Sequence, residues 1–241
     1  MLLQNAPASA LVIVAHPDDA EFMCAGTIAR WAAAGSHVTY CVITKGDKGS
    51  DDPAMTPGQL TVIREAEQRA AGAILGVRDF VFMGYPDGYL QHTLELRKDL
   101  TRVIRQCRPE AVITFDPTAR FVGDFYLNHP DHRTAGDAAL DAIFPSARDR
   151  LTFPELLLDG YEPHKVKQIF LGFSDRMNIR VDIGDTLELK KRALLAHPSQ
   201  IAAGDVTFIE QWSREAAAGE GCEFAEAFFR IRMDDFPAEE G

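Results

Sequence analysis

Ala15-His16-Pro17-Asp18-Asp19 follows directly on the apolar run Leu11 to Val14, so an imidazole and two carboxylates stand where a strand stops. Far downstream, Asn128-His129-Pro130-Asp131-His132-Arg133 supplies two more imidazoles. If the chain turns at Pro17 and a helix begins near Asp18, His16 and Asp19 stand three residues apart and their side chains converge on one point. With His132 arriving from a separate loop, the set becomes two histidines and one carboxylate. Such a set leaves a coordination position open, as a catalytic zinc requires and a structural zinc does not. Iron(II) accepts the same ligands, so the set alone does not name the metal. Zinc is expected because the rest of the chain reads as hydrolytic.

Asp18 should point to a different side of the turn from Asp19, where it can take a proton from water as a general base. Asp131 lies between two histidines and can accept a hydrogen bond from an imidazole N–H, with His129 the expected recipient. A protonated His129 would then stabilise a developing oxyanion or protonate a leaving amine. Either His-Pro-Asp string alone would read as a turn capping a helix. Two of them, one after a strand and one before a helical stretch, make capping an added role.

On these strings the chain resembles the LmbE-like or PIG-L-like zinc-dependent de-N-acetylases. Further matches are Arg64-Glu65-Ala66-Glu67 leading to Leu75-Gly76-Val77, Pro86-Asp87-Gly88, Asp116-Pro117 and Ala196-His197-Pro198-Ser199-Gln200. The resemblance implies His16, Asp19 and His132 as metal ligands, Asp18 as base, His129 as electrostatic or acid partner, and Arg64 and Asp87 facing a sugar. Some members carry a tyrosine two residues before the first downstream histidine; here Leu127 stands there, with Tyr126 one step further away. The segment from Thr118 to Tyr126 is longer than in the mycothiol-pathway members, which suits a loop covering a different substrate.

The elements that must position these residues alternate along the chain. Leu11 to Ala15 and His37 to Thr44 read as strands around a helix from about Ala20 to Ala34 stopped by Gly35, a βαβ unit that implies a parallel sheet. A polar, Gly-rich rim loop runs from Lys45 to Gly58, followed by a helix to Leu75 ended by Gly76. Its Gly-Asp-Lys-Gly lacks the ending of a phosphate-binding P-loop. Then come a strand at Phe80 to Met83, a helix from about Leu94 to Cys107 and a strand at Ala111 to Phe115. Thr134 to Ile143 reads as helix, Gln168 to Phe173 and Ile179 to Ile183 as strands, and Thr186 to Ala196 as helix. The C-terminal aromatics Phe208, Trp212, Phe224, Phe228 and Phe229 read as a helical pair. The fold class is α/β, a doubly wound, mostly parallel, Rossmann-like sheet with His16, Lys45 and Asp116 on the rim at the strands' carboxyl ends.

With 241 residues and 46% apolar content, the chain can bury one α/β core, read as a single domain over 1–241 with a helical elaboration from about 185. The 25 basic against 36 acidic residues give −11, which disfavours nucleic acid and anionic membranes and suits a small-molecule partner. Cys24, Cys41, Cys107 and Cys222 are widely spaced and read as core thiols in a reducing compartment. No run reaches the ~18 apolar residues of a membrane span, and the first residues lack a signal core, so a cytoplasmic protein is expected, with a homo-oligomer left open. The resulting expectation is a zinc-dependent N-deacetylase of an amino sugar or its conjugate, with Fe2+ as the other metal. The competing readings are a hydrolase of another small amide, a non-haem iron(II) oxygenase, which would be expected on a jelly roll, and a non-catalytic sugar-binding protein.

Overall fold

The computed structural model describes residues 1–122, 126–201 and 206–234. In chain order the elements are β1 (Ser9–Val14), α1 (Asp19–Ala33), β2 (His37–Thr44), α2 (Pro57–Leu75), β3 (Asp79–Tyr85), α3 (Leu94–Cys107), β4 (Ala111–Phe115), β5 (Phe121–Val122), β6 (Tyr126–Leu127), α4 (Pro130–Asp141), α5 (Glu155–Leu158), β7 (Gln168–Gly172), β8 (Ile179–Asp182), α6 (Leu187–Leu194), α7 (Thr207–Ala216) and β9 (Ala225–Arg232).

Seven strands form one sheet in the order β3-β2-β1-β4-β7-β9-β8. The pairs from β3 through β7 are all parallel, whereas β9 runs antiparallel to both β7 and β8. Strand β1 is buried from Ala10 to Val14 and β2 from Val38 to Thr44, the near-continuous apolar burial of strands covered on both faces. Helices α1, α2 and α6 pack against one another as one group, and α3 packs with α4 as a second. The sheet is therefore the expected doubly wound α/β architecture. After β1 the chain winds outward through β2 and β3; β4 and β7 lie on the other side of β1. The carboxyl ends of β1 and β4 flank that reversal, and open α/β sheets place ligand sites in the crevice there.

Local chemistry explains the boundaries. Helix α2 opens on a capping box between Thr56 and Gln59 with Pro57 at its first position, and Gly76 closes it in the left-handed conformation at φ 83°. Helix α4 begins at Pro130, not Thr134, because His129 caps it and proline suits the first helical position. His132 therefore stands in the first turn of a helix, and the expectation of a separate loop is corrected.

The C-terminal aromatics are a second correction. Phe208 and Trp212 lie on α7, but Phe228 and Phe229 lie on β9, inside the main sheet. The helical elaboration from about 185 thus returns to the sheet as a strand.

Helix α1 is broken at Cys24, whose φ of −148° is not helical. Past the break the backbone N–H groups of Gly26 and Thr27 donate to the two carboxylate oxygens of Glu226 on β9, at 3.0 and 2.7 Å. Lys190 of α6 neutralises that carboxylate at 2.6 Å and also donates to the Phe22 carbonyl at 2.8 Å. A glutamate in a core strand is thereby fully satisfied, which buried charge requires.

Candidate metal centre

The turn after β1 carries three of the expected site residues. Asp18 occupies the position just before α1 at φ 95°, a left-handed backbone that is uncommon for a residue with a side chain and costs on the order of 1–3 kcal/mol. Its neighbours hold it there. The Asp18 N–H donates to Gln68 Oε1 at 2.9 Å, and Arg64 Nη2 donates to the Pro17 carbonyl at 2.6 Å and to Asp18 Oδ2 at 3.2 Å. Arg64 and Gln68 stand one turn apart on the same face of α2.

From the other side, α4 delivers His132. Gly136 permits this, since a Cβ there would lie 2.6 Å from the Phe115 carbonyl oxygen, so only glycine lets α4 approach the end of β4 so closely. The His132 ring consequently stacks flat on Phe115, centroids 4.3 Å apart and planes 6° apart.

The two imidazoles then face one carboxylate. His132 Nδ1 pairs with Asn128 Oδ1 at 3.0 Å, which makes Nδ1 the donor and leaves the Nε2 lone pair 3.0 Å from Asp19 Oδ1. His16 Nε2 pairs with Asp87 Oδ1 at 3.0 Å and Asp131 Oδ2 at 3.3 Å, which leaves Nδ1 facing Asp19 Oδ2 at 3.3 Å. Lone pairs that face a carboxylate at these distances are brought together by a proton or by a metal ion. Each histidine also has its other nitrogen oriented by an amide or carboxylate oxygen, the arrangement that accompanies metal-ligating histidines. The residues therefore fit a divalent ion. One ring nitrogen each from His16, His129 and His132 lie within 4.8 Å of one another, as do donor atoms of His16, Asp87 and Asp131.

The buried carboxylates and imidazoles also stabilise one another's charged forms. Burial would lower the His16 pKa, but Asp19, Asp131 and Asp87 together push it up to about 12. Burial would raise Asp19, yet the imidazoles of His132 and His16 hold its carboxyl well below the usual range. Asp18 behaves in the opposite way: burial and the adjacent Asp19 raise it to about 7, against the lowering effects of Arg64, His197 and His16.

Asp131 and His129 are paired differently from the sequence expectation. The Asp131 carboxylate faces His16, not His129, and accepts the N–H groups of Gly88 and Leu90 at 2.7 and 3.2 Å. His129 is instead met by the Asp131 backbone, whose N–H donates to His129 Nδ1 at 3.2 Å. That contact fixes the tautomer and leaves Nε2 as the proton-bearing atom of a neutral ring. Arg64 and Asp87 are both buried. Asp87 accepts from the Lys48 backbone as well as facing His16, and Arg64 also holds the Gly46 carbonyl, so the side chains are engaged by protein atoms. Asp116, on the rim as expected, is tied to Thr118, Ser174 and Arg176. Within the segment from Thr118 to Tyr126, residues 123–125 lie outside the described residues.

Sequence reasoning did not single out Gln68, Glu21 or Lys190, and it left the role of His197 open. Glu21 and His197 are fully buried; Glu21 accepts from Gln68 Nε2 at 3.1 and 3.0 Å and pairs with His197 Nε2 at 3.2 Å. This orients the Gln68 amide so that its oxygen meets Asp18. The available signal was the spacing Arg64 to Gln68, four residues apart on a helix whose first member was already suspected.

A cleft of about 690 Å³ opens beside Asp18, Asp19, His132 and Tyr126. Among the described residues no helix is long and apolar enough to cross a membrane.

Residues 11–143 match the family model described as GlcNAc-PI de-N-acetylase, PIG-L. The chain is 33% identical to diacetylchitobiose deacetylase of Thermococcus kodakarensis, covering 79% of this chain and 69% of that protein. It is 29% identical to a probable N-acetyl-alpha-D-glucosaminyl L-malate deacetylase of Bacillus anthracis, covering 80% of this chain and 81% of the other. Among solved structures, N,N'-diacetylchitobiose deacetylase from Pyrococcus horikoshii superposes with a TM-score of 0.87 at 29% identity, covering 94% of this chain and 84% of that one.

Proposed function

Since the chain belongs to the GlcNAc-PI de-N-acetylase (PIG-L) family, we propose that it is a zinc-dependent hydrolase that removes the N-acetyl group from an amino sugar or its conjugate. The observation that carries this reading is the convergence of His16 Nδ1 and His132 Nε2 on Asp19, with Asp18 beside them at the end of a cleft. His16, Asp19 and His132 would hold the ion. Bound there, zinc supplies Lewis acidity, polarising an amide carbonyl and acidifying water.

The chain's own groups do the rest. Asp18, raised to about 7 by burial and Asp19, is suited to accept the proton of the attacking water near neutral pH. Water oxygen bonds to the carbonyl carbon, the C–N bond breaks, and the proton held by Asp18 goes to the departing amine, leaving acetate. His129, with Nδ1 engaged by the Asp131 N–H, offers Nε2–H to the developing oxyanion. Asp131 and Asp87 position His16, and Arg64 positions Asp18. The oxygenase alternative is disfavoured by architecture: the sheet is parallel α/β and not a jelly roll.

The test measures acetate release from N-acetylglucosaminides before and after chelation, with elemental analysis of the protein. Activity should vanish with the metal and return with added zinc. Undiminished acetate release from protein shown to be metal-free would refute the reading.

A related expectation concerns Gln68. Replacing it by Ala leaves the Asp18 N–H without its acceptor and loosens a strained backbone. A hydrogen bond worth about 1 kcal/mol corresponds to roughly a five- to tenfold drop in kcat, with metal content unchanged. Wild-type kcat in Gln68→Ala would show that this bond does not position the base.

A further inference from the structure

We infer that the cleft beside the metal residues is a subsite for an apolar aglycone, so that the preferred substrate is an N-acetylated amino sugar carrying an alkyl or aryl group. The inference rests on the deacetylase reading of the same site and adds what the far end of the substrate must be.

Three observations lead there. First, the cleft is continuous with the reacting end: Asp18, Asp19, His132 and Tyr126 line it, so a substrate whose amide sits at these residues extends into it. Its volume of about 690 Å³ falls well inside the ~300–1,000 Å³ range of small-molecule sites.

Second, the remaining wall is largely hydrocarbon and sulfur, with Phe22, Met23, Phe173, Met177, Ile209 and Trp212 contributing. Phe22 stacks on Phe208 at 6.3 Å between centroids, and Phe208 meets Trp212 edge-on at 4.8 Å. This aromatic row ends in an indole that is still 45% exposed.

Third, the charged groups of the wall are already engaged. Lys190 binds Glu226 and the Phe22 carbonyl, and Glu226 accepts from Gly26 and Thr27. Glu215 accepts from Gln211 at 2.9 Å. A second sugar ring would bring hydroxyls that give up water for few new partners, whereas an alkyl or aryl group gives up only apolar hydration.

The experiment compares kcat/KM for acetate release from methyl, butyl and hexyl glycosides of N-acetylglucosamine and from N,N'-diacetylchitobiose. Each buried methylene should raise kcat/KM by about two- to fourfold until the cleft is filled, and the hexyl glycoside should exceed diacetylchitobiose. In Trp212→Ala the hexyl-to-methyl ratio should fall, and that ratio does not depend on how much of the variant is folded or metal-loaded. A flat or falling dependence on chain length, as expected if a second copy of the chain covers the cleft, overturns the proposal. So does a preference for diacetylchitobiose.

If no glycoside yields acetate, the deacetylase reading fails by itself, and binding then decides the subsite. The hexyl glycoside must shift tryptophan emission saturably in the native protein and not in Trp212→Phe, since the other tryptophan, Trp31, is buried in the core. Absence of that shift overturns it.

Discussion

Replacing Asp18 by Asn lowers kcat by about 10² or more while the protein keeps its metal, because a positioned general base contributes roughly 10²- to 10⁴-fold and an amide cannot take the proton. The geometry makes this a clean substitution. The backbone contacts that hold residue 18, from its N–H to Gln68 and from Arg64 to the Pro17 carbonyl, do not depend on the side chain being ionised. Asn also tolerates left-handed backbone better than most residues, so φ 95° is no obstacle to it. The single contact that weakens is the 3.2 Å pair with Arg64 Nη2, which an amide oxygen can still accept. Kinetics of acetate release beside elemental analysis provide the check. Loss of metal in Asp18→Asn would move the residue from base to ligand.

Asp19→Asn gives the complementary result: metal retention falls, and added zinc restores part of the activity. Both imidazole lone pairs are turned on this carboxylate, and a neutral amide oxygen is the poorer ligand for zinc. Changing an outer partner of a metal site already costs about 10- to 100-fold in affinity, so loss of a directly facing carboxylate should cost at least the upper end of that range. The His16 N–H, which donates to Asp19 Oδ2 at 2.6 Å, keeps an acceptor in the variant, so the turn should still fold. Equilibrium dialysis against zinc reads the affinity directly. Undiminished zinc binding by Asp19→Asn would place the ion on another donor set, such as His16, His129 and His132.

Much of this arrangement could be read from the chain. The apolar runs of β1, β2 and β4 and the glycine that ends α2 are local signals, and they sufficed for the parallel sheet and its rim. The convergence of His16, Asp18, Asp19 and His132 was legible because each motif joins an element end to a polar string. Partner choice was not. Asp131 neighbours two histidines in sequence, yet its carboxylate turns away from both toward His16 and the Gly88–Leu90 backbone, a pairing fixed only by how α4 docks. Strand β9 was hidden for a related reason: Glu226 interrupts its apolar pattern, and it is tolerated because the break in α1 supplies donors 200 residues away in sequence.

That long-distance cap has a consequence for the order in which a chain on the ribosome can mature. The segment bearing Asp18 and Asp19 is made before β9, which follows every other strand among the described residues. Until residue 226 has emerged, the Gly26 and Thr27 amides have no carboxylate to meet, and Lys190 would be buried without its countercharge. Leaving such a charge unpaired is strongly unfavourable. The second half of α1 therefore gains its full set of partners only when the strand bearing Glu226 is in place.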